Sequence, residues 1–225
     1  MFLGLWIKSI EYQSDLCTYF EEINRIAKQC NYLNLLLNPT KTQEMMFSTQ
    51  YVKLCTPELV LNDTTIVLSD KVKYLGVIVD DKLRFQEHVQ SALSTASQRM
   101  YIVKNFVFFS SKSLSNMLFK SFIVSLISYC LPTFFTCLYA TDKKSLRKLF
   151  NDAAKLGIDH PDIDTLMADR TKTLALRYIH DDDHFINDFL SKCPSGRFRT
   201  VKYRTMWGRD SFLRHLIHVL NDTLF

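Results

Sequence analysis

The sequence predicts an α+β fold: an N-terminal helix and a small antiparallel sheet, followed by a helical bundle and a basic C-terminal region. Three observations lead to this prediction. Apolar residues recur at helical spacing over residues 14–32 and again from Leu83 onward, whereas residues 33–80 hold short β-rich runs between turn residues. Lys and Arg then accumulate toward the C-terminus. These changes divide the chain into three segments, 1–82, 83–158 and 159–225.

The first segment is predicted to contain one amphipathic helix and several strands. The apolar face of the helix repeats every three or four residues, at Leu16, Phe20, Ile23, Ala27 and Cys30. Short apolar runs follow, and together they fit an antiparallel sheet, at 35–37, 45–47, 59–61, 66–68 and 74–79. The polar residues Asn62-Asp63-Thr64 predict a hairpin turn between two of these runs.

The second segment is predicted to be helical. A long apolar stripe steps by three or four through Phe85, Val89, Leu93, Ala96, Met100, Val103 and Val107. A second helix is predicted from Ser113, with a break at Pro132, and a third from Thr141 to about Gly157. Residues 160–208 are mixed and polar, and a final helix is predicted over 210–220.

Composition excludes several classes of protein. The 225 residues contain only 5 Gly and 5 Pro, and no G-x-G-x-x-G or G-x-x-x-x-G-K-[ST] motif, which argues against Rossmann and P-loop nucleotide binders. The net charge of +5 is uneven: residues 1–85 hold 9 Lys+Arg and 10 Asp+Glu, so the excess of cations lies in the rest of the chain. A basic second half favours a polyanionic partner.

The cysteines and the N-terminus predict an intracellular protein of the nucleus or cytoplasm. None of the 6 cysteines forms a C-x-x-C pair, which is typical of reduced thiols. The apolar start of the chain has no basic n-region, so no signal peptide is predicted. Residues 121–141 carry no charge and are long enough to span a bilayer, but their serines, threonines and Pro132 favour a buried bundle helix, and membrane association is not expected.

Several short motifs occur in a characteristic order. Residues 37–42 read L-N-P-T-K-T, and residues 73–77 read K-Y-L-G-V, followed by Asp80; residues 129–132 read Y-C-L-P. The chain resembles the reverse transcriptases of non-LTR retrotransposons of the jockey-like kind, which carry an LNP-x-KT box, a KYLGV-x-x-D box and a YG-x-P-x-W segment in that order. Cys130 stands where the family has glycine, and the tryptophan is missing. The C-terminal Arg209–Phe212 and Leu220-Asn221 also resemble the family.

The resemblance implies that 1–82 is the end of the palm with the primer-grip hairpin, that 83–158 is the thumb, and that 159–225 is a basic C-terminal region. It also implies RNA-directed DNA polymerase activity with Mg²⁺ in the intact enzyme. The family's aspartate box and its Y/F-A-D-D hairpin would precede residue 14, and neither occurs in the 225 residues. We therefore expect a truncated polymerase fragment that binds an RNA/DNA primer–template duplex, is inactive alone and has no cofactor, metal or small-molecule ligand of its own.

The resemblance also implies roles for particular residues. Lys41, in the LNP-x-KT box, would neutralise departing pyrophosphate in an intact polymerase. Gly76 would allow the primer backbone to approach closely. Contacts to nucleic acid, most of them to phosphates, are expected at Lys73, Tyr74, Leu75, Gly76, Lys104, Lys112, Lys120, Arg197, Arg199, Lys202 and Arg204.

Two other clusters suggest metal chemistry. Asp80 and Asp81, with Asp15, could form a carboxylate site for Mg²⁺, although a solvated turn explains the two adjacent aspartates as well. His180 and His184 fall one helical turn apart, with Cys193 beyond, but three consecutive aspartates between them favour a solvated loop.

A function of another class stays open. The chain would then be a non-enzymatic helical interaction module, associated with a membrane through residues 121–141.

Overall fold

The computed structural model describes residues 13–47, 58–61, 64–181, 183–200, 208 and 211–224. Its helices and two small antiparallel sheets confirm the α+β class. The chain divides into two compact units, Met1–Val72 and Lys73–Phe225, and each is described by itself. The segment boundaries expected after residues 82 and 158 stay predictions.

The first unit is a helix packed on a short hairpin. Helix α1 spans Gln13–Tyr32, and strands β1 (Leu59–Leu61) and β2 (Thr64–Ile66) pair antiparallel, with Leu59 opposite Ile66. Side chains from both elements form a small core of Leu59, Leu61 and Ile66 with Ile23, Ala27 and Leu37. Residues 62 and 63 of the predicted turn lie outside the described residues.

The predicted strands at 35–37 and 45–47 are not strands in the structure. Leu35 and Leu36 are exposed, and Leu37 alone of this run packs on the β1–β2 core. Near the second run, Glu44 forms an isolated parallel bridge with Leu68. The apolar runs were too short for their composition to distinguish a strand from an extended loop.

The second unit begins with a hairpin and a helix. Strands β3 (Lys71–Tyr74) and β4 (Val77–Asp80) form the other sheet, and helix α2 spans Gln86–Val107. The predicted apolar stripe of α2 faces the core. Leu93 and Val107 are partly buried, and the other members of the stripe are buried, namely Phe85, Val89, Ala96, Met100 and Val103.

Helix α3 (Lys112–Phe119) starts after a four-residue loop, 108–111, and the side chain of Ser111 caps it. It continues through a π-helical turn, Lys120–Val124, into α4 (Ser125–Ser128). The π turn alters the usual carbonyl pairing, and Arg99 of α2 donates a hydrogen bond of 2.8 Å to the Phe122 carbonyl there. Arg99 therefore ties α2 to the π turn.

The helix breaks at Tyr129 and Cys130, three and two residues before the proline that predicts a break. Helix α5 (Leu131–Phe134) and a 3₁₀ turn, Phe135–Cys137, follow, and Pro132 lies in the first turn of α5, where a missing N–H costs nothing. Across the described residues no single helix has the length and apolar composition to cross a membrane. Within the same residues, one bent pair of helices, Lys112–Ser128 with Leu131–Cys137 at 43°, reaches that threshold.

The remaining helices complete the second unit. They are α6 (Ala140–Lys155), α7 (Ile163–His180) and α8 (Phe212–Leu224), with a 3₁₀ turn at Phe185–Phe189. Helix α6 ends near Gly157 (φ 76°), as predicted, whereas α7 occupies a stretch for which no helix was predicted. A second core joins α7 and α8 through Ala175, Ile186, Phe198, Leu216, Ile217 and Leu220.

Candidate nucleic-acid interface

The K-Y-L-G-V segment folds into a tight hairpin whose two-residue loop is Leu75-Gly76. Both residues have positive φ, 46° and 88°, as in the type I′ turns that match the twist of the flanking strands. Glycine adopts this conformation without strain, whereas leucine does not. Lys73, Leu75 and Gly76 are exposed and Tyr74 is partly buried, so the loop presents backbone and one cation to solvent.

Tyr129 holds this loop in place. Its hydroxyl donates a hydrogen bond of 2.6 Å to the carbonyl oxygen of Leu75. A Cβ at Gly76 would lie 3.7 Å from Cε1 of the tyrosine ring, in ordinary van der Waals contact. The Y-L-G loop and the Y-C-L-P segment, which are distant in the sequence, therefore meet in the second unit.

Cys130 is the residue that stands where the resembled family has glycine. Its φ is 53°, in the left-handed region that glycine adopts most easily. This conformation bends the chain between α4 and α5, after which Leu131, Pro132 and Phe134 are buried. Burial raises the pKa of the Cys130 thiol, which keeps it in its uncharged form at neutral pH.

Asp80 has a structural role at the end of the hairpin. Its Oδ1 accepts hydrogen bonds from the backbone N–H groups of Lys82 (3.1 Å) and Arg84 (2.8 Å), and its Oδ2 accepts one from Phe85 (2.6 Å). These bonds stabilise the turn before α2, in which Leu83 and Phe85 both have positive φ. A carboxylate engaged in this way closes a turn, so the geometry does not favour a metal site at Asp80 and Asp81.

Lys41 lies in the first unit, at the end of a 3₁₀ turn formed by Pro39–Lys41. Asn38 caps this turn, because its Oδ1 accepts hydrogen bonds from the N–H (3.0 Å) and hydroxyl (2.7 Å) of Thr40. The Thr42 hydroxyl donates to the Asn38 carbonyl at 3.0 Å. The L-N-P-T-K-T residues thus form a compact turn with an exposed lysine.

The three predicted phosphate-binding lysines of the bundle are all exposed. Lys104 lies near the end of α2, Lys112 is the first residue of α3, and Lys120 is the first residue of the π turn. Lys104 and Lys112 therefore flank the α2–α3 loop, and Lys120 follows the end of α3.

The basic C-terminal region presents Arg197 and Arg199 on either side of buried Phe198. The side chain of Asn221 fixes this strand-like segment by bonding both the N–H (2.8 Å) and the carbonyl (2.9 Å) of Phe198. Within the described part of the chain neither arginine forms an ion pair, whether with Asp181, Asp183 or another carboxylate. Lys202 and Arg204 lie outside the described residues.

The sequence analysis missed a further group of cations on α6. Lys144, Lys148 and Lys155 recur at intervals of four and seven residues, which places them on one helix face. Lys155 is paired with Asp152 at 3.2 Å, and neighbouring Arg147 forms a two-bond ion pair with Asp164 of α7 (2.7 and 2.8 Å). The same spacing was visible in the sequence of the helix predicted from Thr141.

The second metal alternative, at His180 and His184, is not supported by the local contacts. His180 Nδ1 lies 2.6 Å from the Leu176 carbonyl, while His184 Nδ1 accepts a hydrogen bond from the N–H of Ile186 and its ring stacks on Tyr178. Among the described residues, no three His, Cys, Asp or Glu side chains come close enough to share a metal ion. The expected lack of a metal stays a prediction.

Comparison of the chain with protein-family models, with curated proteins and with solved structures finds no match.

Proposed function

We propose that this chain is the primer–template-binding part of a non-LTR retrotransposon reverse transcriptase, comprising the end of the palm, the primer grip and the thumb. The observation that carries the proposal is the contact between two of its motifs. Tyr129 of the Y-C-L-P segment bonds the Leu75 carbonyl of the Y-L-G loop at 2.6 Å. A hairpin supported in this way can present a fixed backbone to a primer terminus.

The left-handed conformation at Cys130 supports the same proposal. A family that uses glycine at this position needs a residue that adopts positive φ, and the φ of 53° at Cys130 meets that need. The backbone conformation at Cys130 is therefore consistent with the glycine that the family has at this position.

The charge distribution supports a nucleic-acid partner. Lys73, Lys104, Lys112 and Lys120 are exposed on the hairpin and the bundle, and Arg197 and Arg199 are exposed in the C-terminal region. Cations of this kind displace counterions from phosphates and position a duplex without reading its sequence.

The test is the salt dependence of binding to a blunt RNA/DNA duplex, measured by fluorescence anisotropy. If three or four cations contact phosphates, log K against log[salt] should slope by roughly −3 to −4. Neutralising Arg197 and Arg199 with glutamine, together with Lys202 and Arg204, should flatten the slope and weaken binding to every sequence equally. Lys28→Gln, which removes an exposed cation outside the proposed interface, is the matched control. Undetectable binding at low salt would contradict the proposal.

A second candidate is a non-enzymatic helical interaction module that contacts a membrane. The observation that favours it is the exposure of two adjacent phenylalanines, Phe108 (79%) and Phe109 (93%), in the α2–α3 loop. The span first suggested for such contact, 121–141, instead contributes Ile123, Ile127 and Leu131 to the core. Sedimentation with anionic and with neutral vesicles tests this candidate.

A further inference from the structure

The α2–α3 hairpin has a one-sided charge. Between His88 and Thr141 the chain has no acidic residue, whereas it has four cations, Arg99, Lys104, Lys112 and Lys120. Arg99 is engaged with the Phe122 carbonyl, which leaves three exposed lysines along the hairpin. Such a surface attracts a polyanion and repels a cationic partner.

The same hairpin exposes an unusual number of aromatic rings. Tyr101 is 70% exposed, and the two rings of the loop, Phe108 and Phe109, are more exposed still. We call the exposed aromatic residues together with the three lysines the aromatic–lysine surface; its members are Tyr101, Lys104, Phe106, Phe108, Phe109, Lys112, Lys120 and Phe122.

The loop that carries the two phenylalanines is held by several hydrogen bonds. The N–H of Phe109 donates to the Phe106 carbonyl at 3.0 Å, and the hydroxyls of Ser110 and buried Ser115 lie 2.8 Å apart. Ser111 caps α3. The rings are therefore presented on an ordered turn, which lowers the entropic cost of binding.

The positions of the rings and lysines along the hairpin distinguish between two anionic partners, a bilayer and a nucleic-acid strand. With a rise of 1.5 Å per residue, Tyr101 lies about 10 Å along α2 from the loop, and it is farther from the loop than Lys104. On the other side of the loop, Phe122 is farther from it than Lys112. A bilayer would require the rings at one depth and the cations at another. Here rings lie both nearer to the loop and farther from it than Lys104 and Lys112, so rings and cations are not separated by depth, and proteins that bind unpaired nucleic-acid strands combine such side chains.

We propose that the aromatic–lysine surface binds a single-stranded extension of the nucleic acid, with bases stacked on Phe108 and Phe109 and phosphates near Lys104 and Lys112. This inference rests on the proposed function, because it assigns unpaired nucleotides to one face of a chain proposed to bind a duplex. Stacking on phenylalanine tolerates any base, so the surface binds strands without a sequence requirement.

The test compares a blunt RNA/DNA duplex with the same duplex carrying a single-stranded extension of about eight nucleotides, a length within the usual site size. The test variant is Phe108→Ser with Phe109→Ser. The matched control is Phe185→Ser with Phe189→Ser, which removes two other exposed rings (66% and 57%). Thermal unfolding verifies that both variants are folded.

The wild-type chain should bind the extended duplex more tightly than the blunt one. The test variant should lose affinity for the extended duplex by at least about tenfold, and its affinity for the blunt duplex should equal that of the wild type. The control variant should bind both as the wild type does. Binding of the extension without any binding of the blunt duplex would contradict the proposed function and support this inference.

Other results would overturn the inference. They are equal binding of the two substrates by the wild type, equal losses in the test and control variants, and a loss confined to the blunt duplex. A test variant that keeps its affinity for the extension but no longer sediments with phosphatidylserine vesicles would assign the surface to a membrane and would also overturn it.

Discussion

At the scale of single residues, the Leu75-Gly76 loop combines a strained residue with a relaxed one. Leucine at φ 46° carries a left-handed penalty of roughly 1–2 kcal/mol, whereas the glycine that follows carries none. Leu75 is half-exposed and makes its main directional contact through its backbone carbonyl, which Tyr129 binds. The side chain therefore contributes little to offset the strain.

Leu75→Asn is expected to stabilise the protein by about 0.5–1 kcal/mol, because asparagine tolerates the left-handed region and Asn-Gly is the preferred pair in type I′ turns. Urea unfolding measures the change. Val60→Asn, at an exposed position with extended backbone, is the control and should destabilise. A loss of stability in Leu75→Asn would mean that the leucine side chain makes contacts that outweigh the strain.

A second prediction at this scale concerns His215, which is half-buried and whose Nε2 has no hydrogen-bond partner within the described residues. Burial lowers the pKa of His215, and the positive charges of His218 and Lys143 lower it further. The unfolded chain therefore takes up a proton at a higher pH than the folded one. Stability should fall as the pH decreases below about 6.5, the pKa of histidine in an unfolded chain.

His215→Gln should reduce this loss, measured as the difference in urea midpoint between pH 7.5 and a pH of about 5. Burial also lowers the pKa of His88, whose ring meets Phe134 edge-on, so part of the pH dependence should remain. His180→Gln changes an exposed histidine that is not among the groups acting on His215, and it serves as the comparison. The same pH dependence in wild type and His215→Gln would show that other groups cause it.

At the scale of elements, helix α2 organises the second unit. Its stripe contacts α3, α4, α6 and β4, and Ala96 and Val103 on it are almost inaccessible to solvent. The N-terminus of α2 has no side-chain cap, and the helix depends on its packing, which is the usual source of helix stability in proteins. A charge on this face should therefore be costly.

Met100→Asp is expected to destabilise by several kcal/mol, because an unpaired carboxylate must be buried or protonated at a site that is 3% exposed. Gln98→Asp, on the exposed side of α2, should cost less than about 0.5 kcal/mol. Arg99 is unsuitable as the control since it binds the Phe122 carbonyl. Chemical denaturation measures both variants, and similar losses in the two would contradict the packing described here.

The elements also show how far periodicity predicts structure. Helices α1, α2 and α6 follow from apolar positions every three or four residues, and their observed bounds agree with those predictions within a few residues. Helix α7 was missed because its buried face includes Thr171, whose hydroxyl bonds the Met167 carbonyl. A polar residue in the middle of a buried face interrupts the hydrophobic pattern. Its cap, Asp162, was the remaining signal.

The contact at the candidate site could not be predicted in the same way. The motifs around Leu75 and Tyr129 were visible in the sequence, but the hydrogen bond between them depends on the left-handed backbone at Leu75 and Cys130. Leucine and cysteine give no local sign of such backbone, as a glycine would. Exposure of Phe108 and Phe109 was equally hidden, since an apolar pair near a helix end is more often part of a core.

At the scale of the whole molecule, the expectation that the chain is inactive alone stays a prediction, and it depends on the carboxylates of the sequence. Nucleotidyl transfer requires two metal ions held by clustered carboxylates. The 225 residues contain no Y/F-A-D-D motif, and the carboxylate of Asp80 is bonded to three backbone N–H groups. The role of neutralising pyrophosphate that the resemblance implies for Lys41 is therefore predicted only for an intact polymerase.

We predict that residues 1–225 do not extend a primer on an RNA or DNA template with dNTPs and either Mg²⁺ or Mn²⁺, even under conditions in which they bind the duplex.

The two oxygens of the Asp80 carboxylate accept hydrogen bonds from three N–H groups, whereas an asparagine amide has one acceptor oxygen. Asp80→Asn should therefore reduce the thermal stability of the protein. Asp81→Asn should be mild, since no backbone group depends on that carboxylate among the described contacts. Metal-dependent extension by the wild type that disappears in both variants, without loss of folding, would restore the Asp80–Asp81 pair as a catalytic site.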